Sequence, residues 1–336
     1  MSTPWHDDPL ARELDTALAA VREAGLLCRR VQALIDPGAM QKKDKSPVTV
    51  ADYGSQALVC RALAAALPDD PVLGEEDSAE LRQPANAALL AQVVDHVQAH
   101  APGADEAAVC AWIDRGNGTA DGARFWTLDP IDGTKGFLRG EQYAVGLALI
   151  LDGQVACSAL ACPNLGPRLD GDRGDGTVIV ASRGRGAWQL PMAADGPVRP
   201  ARVSSETDPA RIRFCESVEA AHSSHDKAAQ VAACLAIVAE PCRLDSMAKY
   251  AVVARGEAEA YLRLPRRSDY RELIWDHAAG VLAVLEAGGR VTDVPGRELD
   301  FGQGRRLERN LGVVASNGTL HEPLLVALRA AGVGDV

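Results

Sequence analysis

Trp126-Thr127-Leu128-Asp129-Pro130-Ile131-Asp132-Gly133-Thr134-Lys135-Gly136-Phe137 begins as a strand and ends as a set of hydrophilic groups. Phe125 to Leu128 are aromatic, β-branched and aliphatic, which suits a buried strand. Pro130 donates nothing to a ladder, so the strand is expected to end there. Asp129 and Asp132 stand three residues apart. Burying both is costly, because they repel each other and lose hydration. A divalent cation between them removes that cost, and hard oxygen donors suit Mg²⁺ better than zinc. The next residues, Gly133-Thr134-Lys135-Gly136, can turn backbone N–H groups toward an anion, the more so if a helical turn begins there. One short segment could thus hold a metal and a phosphate side by side. A polar turn with Asp129 as a cap would explain an isolated Asp-x-x-Asp, but not the longer string together with its partners elsewhere in the chain.

The chain has 336 residues, enough for one large or two fused domains. Hydrophobic residues make up 47% and charged residues 24%, so a globular fold is the expectation and disorder is not. The net charge of −11 argues against a nucleic-acid surface, which needs a basic patch. It leaves room for a small anionic substrate, because bound Mg²⁺ would reverse the local field. None of the eight cysteines forms a C-x-x-C pair, which argues against zinc and thioredoxin-type sites. They read as buried thiols of a reducing compartment, with Cys157 and Cys162 the pair whose spacing leaves a redox role open. Met1 to Leu10 lacks the features of a signal peptide, and no apolar run reaches the roughly 20 residues that span a bilayer. The expectation is a soluble, cytoplasmic protein that contacts neither membrane nor nucleic acid, as a monomer or weak oligomer.

Hydrophobic periodicity outlines the elements. Leu10, Leu14, Leu18 and Val21 predict a helix from about Pro9 to Leu34. Asp52 falls in the expected first turn of a second helix, near the positive end of its dipole, where it caps the helix or faces a site. Pro71-Val72-Leu73 is a short strand that delivers Gly74-Glu75-Glu76-Asp77. Two helices are expected within Pro84–Arg115. Asp152-Gly153 between apolar runs predicts a hairpin of Tyr143–Leu151 with Gln154–Cys162. Thr177–Ala181 and Gly186–Leu190 read as further strands, and residues 163–176 as an exposed loop. After the Pro-rich stretch Leu190–Pro200, strands at Arg211–Cys215, Pro241–Leu244 and Glu259–Leu264 alternate with helices near 224–238, 246–254 and 276–287. Such alternation argues for α/β layering. Asp276 would open the last of these helices as a favoured N-cap residue, and Ala278-Ala279-Gly280 permits close packing without any catalytic meaning.

Asp129-Pro130-Ile131-Asp132-Gly133-Thr134, Gly74-Glu75-Glu76 and Trp275-Asp276-His277-Ala278-Ala279-Gly280 resemble the three signatures of the inositol monophosphatase superfamily of Mg²⁺-dependent, lithium-sensitive phosphatases. Further strings resemble one branch, the 3′(2′),5′-bisphosphate nucleotidases. They include Ser46-Pro47-Val48-Thr49, Gly136-Phe137-Leu138-Arg139-Gly140, Ala161-Cys162-Pro163-Asn164-Leu165, His222-Ser223-Ser224-His225 and Asp245-Ser246-Met247-Ala248-Lys249-Tyr250. The resemblance covers nearly the whole chain and is weak over residues 79–122 and 166–176. It implies a layered α-β-α-β-α sandwich. Residues 1–205 would form an N-terminal α+β domain with most metal ligands, and residues 206–336 an α/β domain with the nucleotide pocket and the last ligand.

By matching positions, the resemblance makes Glu75, Asp129, Asp132, Asp276 and the Ile131 carbonyl ligands for two to three Mg²⁺ ions. It makes Asp52 and Thr134 a hydrogen-bonded pair that helps a water attack phosphorus. Backbone N–H groups of Gly133, Thr134 and Lys135 would hold the scissile phosphate. His222 would stack on adenine, and Ser246, Lys249 and Arg263 would bind the phosphate that is kept. Read without the resemblance, His222 is an ordinary turn residue, Lys249 a solvated helix face and Arg263 a salt-bridge partner. Met247 departs from a position often polar in the branch. The implied reaction removes the 3′-phosphate of adenosine 3′,5′-bisphosphate, and extends to its 5′-phosphosulfate relative in sulfate assimilation. The rival readings are an inositol phosphate phosphatase and a catalytically inactive nucleotide sensor.

Overall fold

The computed structural model describes residues 3–35, 46–193, 196–218, 225–265, 267 and 269–333. In chain order the elements are α1 (Ala11–Gln32), α2 (Ser46–Ala66), β1 (Val72–Gly74), α3 (Ala87–Gln98), α4 (Glu106–Asp114), β2 (Arg124–Asp132), α5 (Thr134–Leu138), β3 (Ala144–Leu151), β4 (Gln154–Cys162), β5 (Thr177–Ser182), β6 (Gly186–Pro191) and β7 (Arg199–Pro200). Then follow β8 (Phe214–Glu216), α6 (His225–Cys234), β9 (Cys242–Arg243), α7 (Ala248–Ala254), β10 (Ala260–Arg263), α8 (Ala278–Glu286), β11 (Arg290–Thr292), β12 (Val313–Ser316) and α9 (His321–Ala330). Strands β1 to β7 form one sheet in sequence order, and a second sheet runs β11-β12-β10-β8-β9.

These elements stack in five layers, α-β-α-β-α, as the sequence implies. Leu14, Val21, Leu27, Cys28 and Val31 recur on one face of α1, which buries them against α2 and the first sheet. Helices α7 and α8 lie between the sheets: Ala279, Leu282 and Ala283 pack with Ala148 and Leu160 on one side and with Val313 and Ala315 on the other. Alternation along the second sheet then sends Phe214, Leu262 and Val314 to its far face. There they meet Val231 of α6 and Leu324 and Leu328 of α9. The β3–β4 hairpin turns at Asp152 and Gly153, with φ of 48° and 77°. Both central residues in the left-handed region make the turn whose twist matches a hairpin. Among the described residues no helix is long and apolar enough to cross a membrane.

Several expectations shift. Pro130 does not end its strand: β2 continues to Asp132, and its pairing with β3 slips between Asp129 and Asp132. In this bulge no ladder bond is asked of the missing N–H. Helix α2 begins at Ser46, six residues before Asp52, so Asp52 sits in the second turn and is no cap. The N-cap position of α8 belongs to His277, and Asp276 stands just outside it. The strand expected from Arg211 starts at Phe214, because Pro209–Arg211 form a 3₁₀ turn capped by Asp208. Cys157 and Cys162 lie on one strand about 16 Å apart, at roughly 3.3 Å per residue, too far for a disulfide.

Beneath the second sheet, His321 is buried between Ser316 and Thr292. Thr292 Oγ1 donates to the Asp293 carbonyl, so it accepts from Nε2–H of His321, and Nδ1 accepts from Ser316. Both ring nitrogens are used in the neutral form. Burial, and then the charge of Arg290, pull the imidazole down from 6.5 to about 4. The native state thus resists a proton that the unfolded chain accepts. The contribution is present in full above about pH 6.5 and is lost as pH falls toward 4, up to about 3 kcal/mol. Denaturant titrations across this window should show stability falling with acidity in the wild type and a shallower slope in His321→Gln. Parallel slopes would refute this role.

Candidate active site

The register of the first sheet assembles the acids. Strand β1 runs parallel to β2 with Gly74 opposite Leu128, so Glu75, just past the end of β1, comes level with Asp129 within β2. Gln56 of α2 is fully buried and fixes that exit. Its Nε2 donates to the carbonyls of Glu76 and Ile113, and its Oε1 accepts from the Glu76 N–H at 3.1 Å. A Cβ at Gly74 would lie 2.6 Å from Gln56 Oε1, so only glycine fits there. Ser55, one residue earlier on α2, donates to the Pro130 carbonyl at 2.8 Å. This fixes the bulge in which Asp129, Ile131 and Asp132 are presented.

The second half meets the bulge directly. The N–H of Met247 donates to Asp132 Oδ2. Gly133, at φ 90°, has Ser246 so close that a Cβ would fall 2.8 Å from the Ser246 Cβ. Ser246 itself has φ 70°, a left-handed conformation rare in a non-glycine residue, which aims the chain into α7. The Met247 side chain is buried against Gly146 of β3, so the apolar residue at this position serves the core between the sheets.

Desolvation, and then the charges of neighbouring acids, raise the proton affinity of four carboxylates here. Glu75 keeps an exposed edge, yet desolvation by the atoms packed around it, then the charges of Glu76 and Asp132, push it up to about 7. Burial, then Glu75, Asp132 and Asp276, push Asp129 far above the usual carboxylate range. Asp276 rises through burial and the charges of Asp132 and Glu75, and Asp52 through burial and the charges of Glu76 and Glu75. Asp129 Oδ1 is buried and has no hydrogen-bond partner among the described residues. An orphaned carboxylate oxygen amid three more acids fits a hard divalent cation, which would satisfy the oxygen and offset the repulsion. Among the described residues, Glu272, Asp276 and His277 also form a group of possible ligands, with ligand atoms within 4.8 Å of one another. Glu272, however, is taken up by Arg263 and His277, which leaves Asp276 as the member able to serve a cation.

Beside the acids lies a cavity of about 250 Å³, lined among others by Asp132, Lys135, Ser246, Lys249, Arg263 and Asp276. Lys249 is no solvated helix residue. It is 3% exposed, donates to the Leu244 carbonyl at 3.1 Å and lies over the Tyr261 ring. Burial pulls its ammonium down to about 8 against the opposing charge of Asp132. Arg263 is held by Glu272 through two bonds of 3.1 Å. Thr134 and Lys135 are exposed at the start of α5. Among the described residues Asp52 and Thr134 share no hydrogen bond: Asp52 is buried on α2, whereas Thr134 faces outward. His222 lies outside the described residues. Sequence reasoning missed Ser55, Gln56, Tyr250 and Glu272. Only the run Ser55-Gln56, polar on an otherwise apolar helix, carried a visible signal.

This arrangement of sheet-end acids beside a cationic cavity belongs to a known class. A model of the inositol monophosphatase family matches residues 10–332, and the chain belongs to that family. Its curated relatives place it in the bisphosphate nucleotidase branch. A protein of Oryza sativa called 3′(2′),5′-bisphosphate nucleotidase is 41% identical over 343 residues, spanning 96% of this chain and 95% of that one. Proteins of the same name are 40% identical in Emericella nidulans, spanning 95% of this chain and 97% of that one, and 41% identical in Schizosaccharomyces pombe, spanning 95% of both. Among solved structures, Mycobacterium tuberculosis SuhB shares the fold at a TM-score of 0.63 and 24% identity, covering 97% of this chain and 99% of that one. An inositol monophosphatase from Anabaena does so at 0.61 and 21%, covering 96% of each chain. The chain is accordingly a metal-dependent phosphatase.

Gly280 ties the packing between the sheets to this site. A Cβ there would overlap the Tyr250 ring, whose hydroxyl bonds His277. Gly280→Ala should therefore destabilise the protein by roughly 1–3 kcal/mol, read as a lowered thermal midpoint. An unchanged midpoint would show that the ring can give way.

Proposed function

We propose that this phosphatase removes the 3′-phosphate of adenosine 3′,5′-bisphosphate, giving AMP and phosphate. The observation that carries the proposal is the juxtaposition of two charge environments. A cluster of mutually repelling acids opens onto a cavity that contains the buried Lys249 and the half-buried Arg263. A monophosphate needs only the first. A substrate that keeps a second phosphate gives work to the second, because buried cations favour an anionic partner. Relatives named 3′(2′),5′-bisphosphate nucleotidases support the same assignment.

In this reading Glu75, Asp129, Asp132, Asp276 and the Ile131 carbonyl hold two to three Mg²⁺ ions. When bound, Mg²⁺ supplies Lewis-acid stabilisation of phosphoryl charge and a more acidic water. The chain's own residues do the rest. Met247 N–H fixes one oxygen of Asp132 so that the other is free to face the site. Ser55, by anchoring the Pro130 carbonyl, sets the peptide from which Ile131 presents its own. Gly133, Thr134 and Lys135 begin α5, where N–H groups have no intrahelical acceptor, and they receive the scissile phosphate. Asp52 and Thr134 orient the attacking water, which requires Thr134 to turn toward Asp52 when the site is loaded. Ser246, Lys249 and Arg263 hold the retained phosphate, and His222 stacks on the base. The same pocket accepts the 5′-phosphosulfate analogue. The enzyme would then act in sulfur metabolism, be inhibited by lithium, and work as a soluble cytoplasmic monomer or weak oligomer.

Asp132→Asn should lower turnover of the bisphosphate by roughly 10²–10³-fold or more, the scale of losing one preorganised charged contact, with circular dichroism unchanged. Near-normal turnover would refute the assignment. Asp129→Asn removes a buried repulsive charge. With a chelator present its thermal midpoint should exceed that of the wild type, and Mg²⁺ should no longer raise it. A variant that is less stable under chelation, yet still stabilised by Mg²⁺, would contradict the cation site.

A further inference from the structure

A chain of buried polar side chains leads to Arg263 from behind. Arg263 donates through Nε to Glu272 Oε1 and through Nη2 to Glu272 Oε2, both at 3.1 Å. Glu272 Oε2 also lies 3.3 Å from Nε2 of His277, and His277 Nδ1 lies 2.7 Å from the Tyr250 hydroxyl. Tyr250, Glu272 and His277 are all buried. The polarity of the chain follows from chemistry. A carboxylate only accepts, so Nε2 of His277 carries the proton. Nδ1 is then an acceptor, and the Tyr250 O–H donates to it. The hydrogen pressure on Glu272, from His277 and from Arg263, outweighs burial and holds its carboxyl down at about 2. Glu272 is therefore a fixed anion with three donors aimed at it.

The consequence falls on Arg263. Two of its three nitrogens are locked in a fork by Glu272, and among the described residues Nη1 has no protein partner. Arg263 also lines the cavity. A guanidinium held in this way presents one edge at one angle, and little rotamer freedom is left to lose on binding. The flanking packing supports the same orientation: Tyr250 meets Tyr261 edge-on at 4.9 Å, and Tyr261 stands two residues before Arg263 on β10.

We infer that Glu272, oriented by His277 and Tyr250, is a positioning residue that fixes Arg263 for a second anionic group on the substrate, and so sets the preference for a bisphosphate over a monophosphate. The inference rests on the proposed role of Arg263 in holding the retained phosphate. Glu272 lies within 4.8 Å of Asp276, but among the described residues neither it nor Tyr250 hydrogen-bonds Asp129, Asp132 or Asp276, so their effect should appear in substrate preference and not in the chemical step.

The test compares adenosine 3′,5′-bisphosphate with adenosine 3′-phosphate, which lacks the second anion, using wild type, Arg263→Ala, Glu272→Gln, the Arg263→Ala/Glu272→Gln double variant and Tyr250→Phe. Glutamine keeps the shape of Glu272 but replaces one acceptor with a donor that faces other donors. Glu272→Gln should raise KM for the bisphosphate by about 10–100-fold, the worth of a charged hydrogen bond. The kcat should stay within about twofold and KM for the monophosphate should change little. Tyr250→Phe, which keeps the ring and its packing, should shift the same KM in the same direction by less, and it carries the test if Glu272→Gln folds poorly. Adding Glu272→Gln to Arg263→Ala should change nothing further, because the carboxylate acts through the guanidinium. Equal losses on both substrates, a fall in kcat alone, or additive effects in the double variant would overturn the inference. If Arg263→Ala itself fails to separate the two substrates, the reading of Arg263 falls, and this inference with it. If Arg263→Ala separates them while Glu272→Gln and Tyr250→Phe do not, only the present inference fails.

Discussion

The structure turns on electrostatic repulsion placed deliberately at a sheet end. Glu75, just past β1, stands level with Asp129 of the adjacent parallel strand β2, and Asp132 and Asp276 close in from the bulge and from the approach to α8. Asp129 is buried, Asp132 and Asp276 are half-buried and Glu75 lies at the exposed rim; proteins rarely crowd carboxylates in this way, because they lose hydration and raise one another's proton affinity. Here the surroundings enforce the arrangement. Gln56 fixes the exit of β1, Ser55 fixes the bulge, and Met247 N–H fixes Asp132. Three hydrogen bonds from elements that are themselves well packed hold the acids where, without a cation, they would move apart.

The five layers explain why the site is both rigid and open. The first sheet supplies the acids, and the second sheet supplies the cationic wall through β10. Between them α7 carries Lys249 and Tyr250, and α8 packs against both sheets. The site therefore forms where the two halves meet. Gly133 against Ser246, and Arg139 paired with Asp245, tie α5 of the first half to the approach to α7 in the second. Neither half could assemble the constellation alone.

Much of this was legible in the sequence. The Asp129–Asp132 string, the strand delivering Glu75 and the Asp152-Gly153 hairpin follow from local rules of pairing, turns and charge. What local rules could not reach were features decided by neighbours in space. Pro130 reads as a strand terminator, yet it sits within β2, because a bulge removes the demand for its N–H. Lys249 reads as a solvated residue, yet it is buried under a tyrosine ring. Glu272 gives no sequence signal at all, since its importance comes from Arg263 and His277 converging on it. The roles of Asp52 and Thr134 came from family resemblance alone, and among the described residues no hydrogen bond joins the buried Asp52 to the exposed Thr134.

In the proposed function, the clustered acids and the adjacent cationic cavity together hydrolyse a nucleotide bisphosphate with the aid of Mg²⁺. The most direct test is phosphate release from adenosine 3′,5′-bisphosphate with Mg²⁺, with and without lithium, beside inositol 1-phosphate under the same conditions. Release should be fast from the nucleotide, suppressed by lithium and abolished by chelation, and slow from the inositol phosphate. Preference for inositol 1-phosphate would contradict the assignment of Ser246, Lys249 and Arg263. Tight binding of the nucleotide with no phosphate released would contradict catalysis itself and favour a sensor.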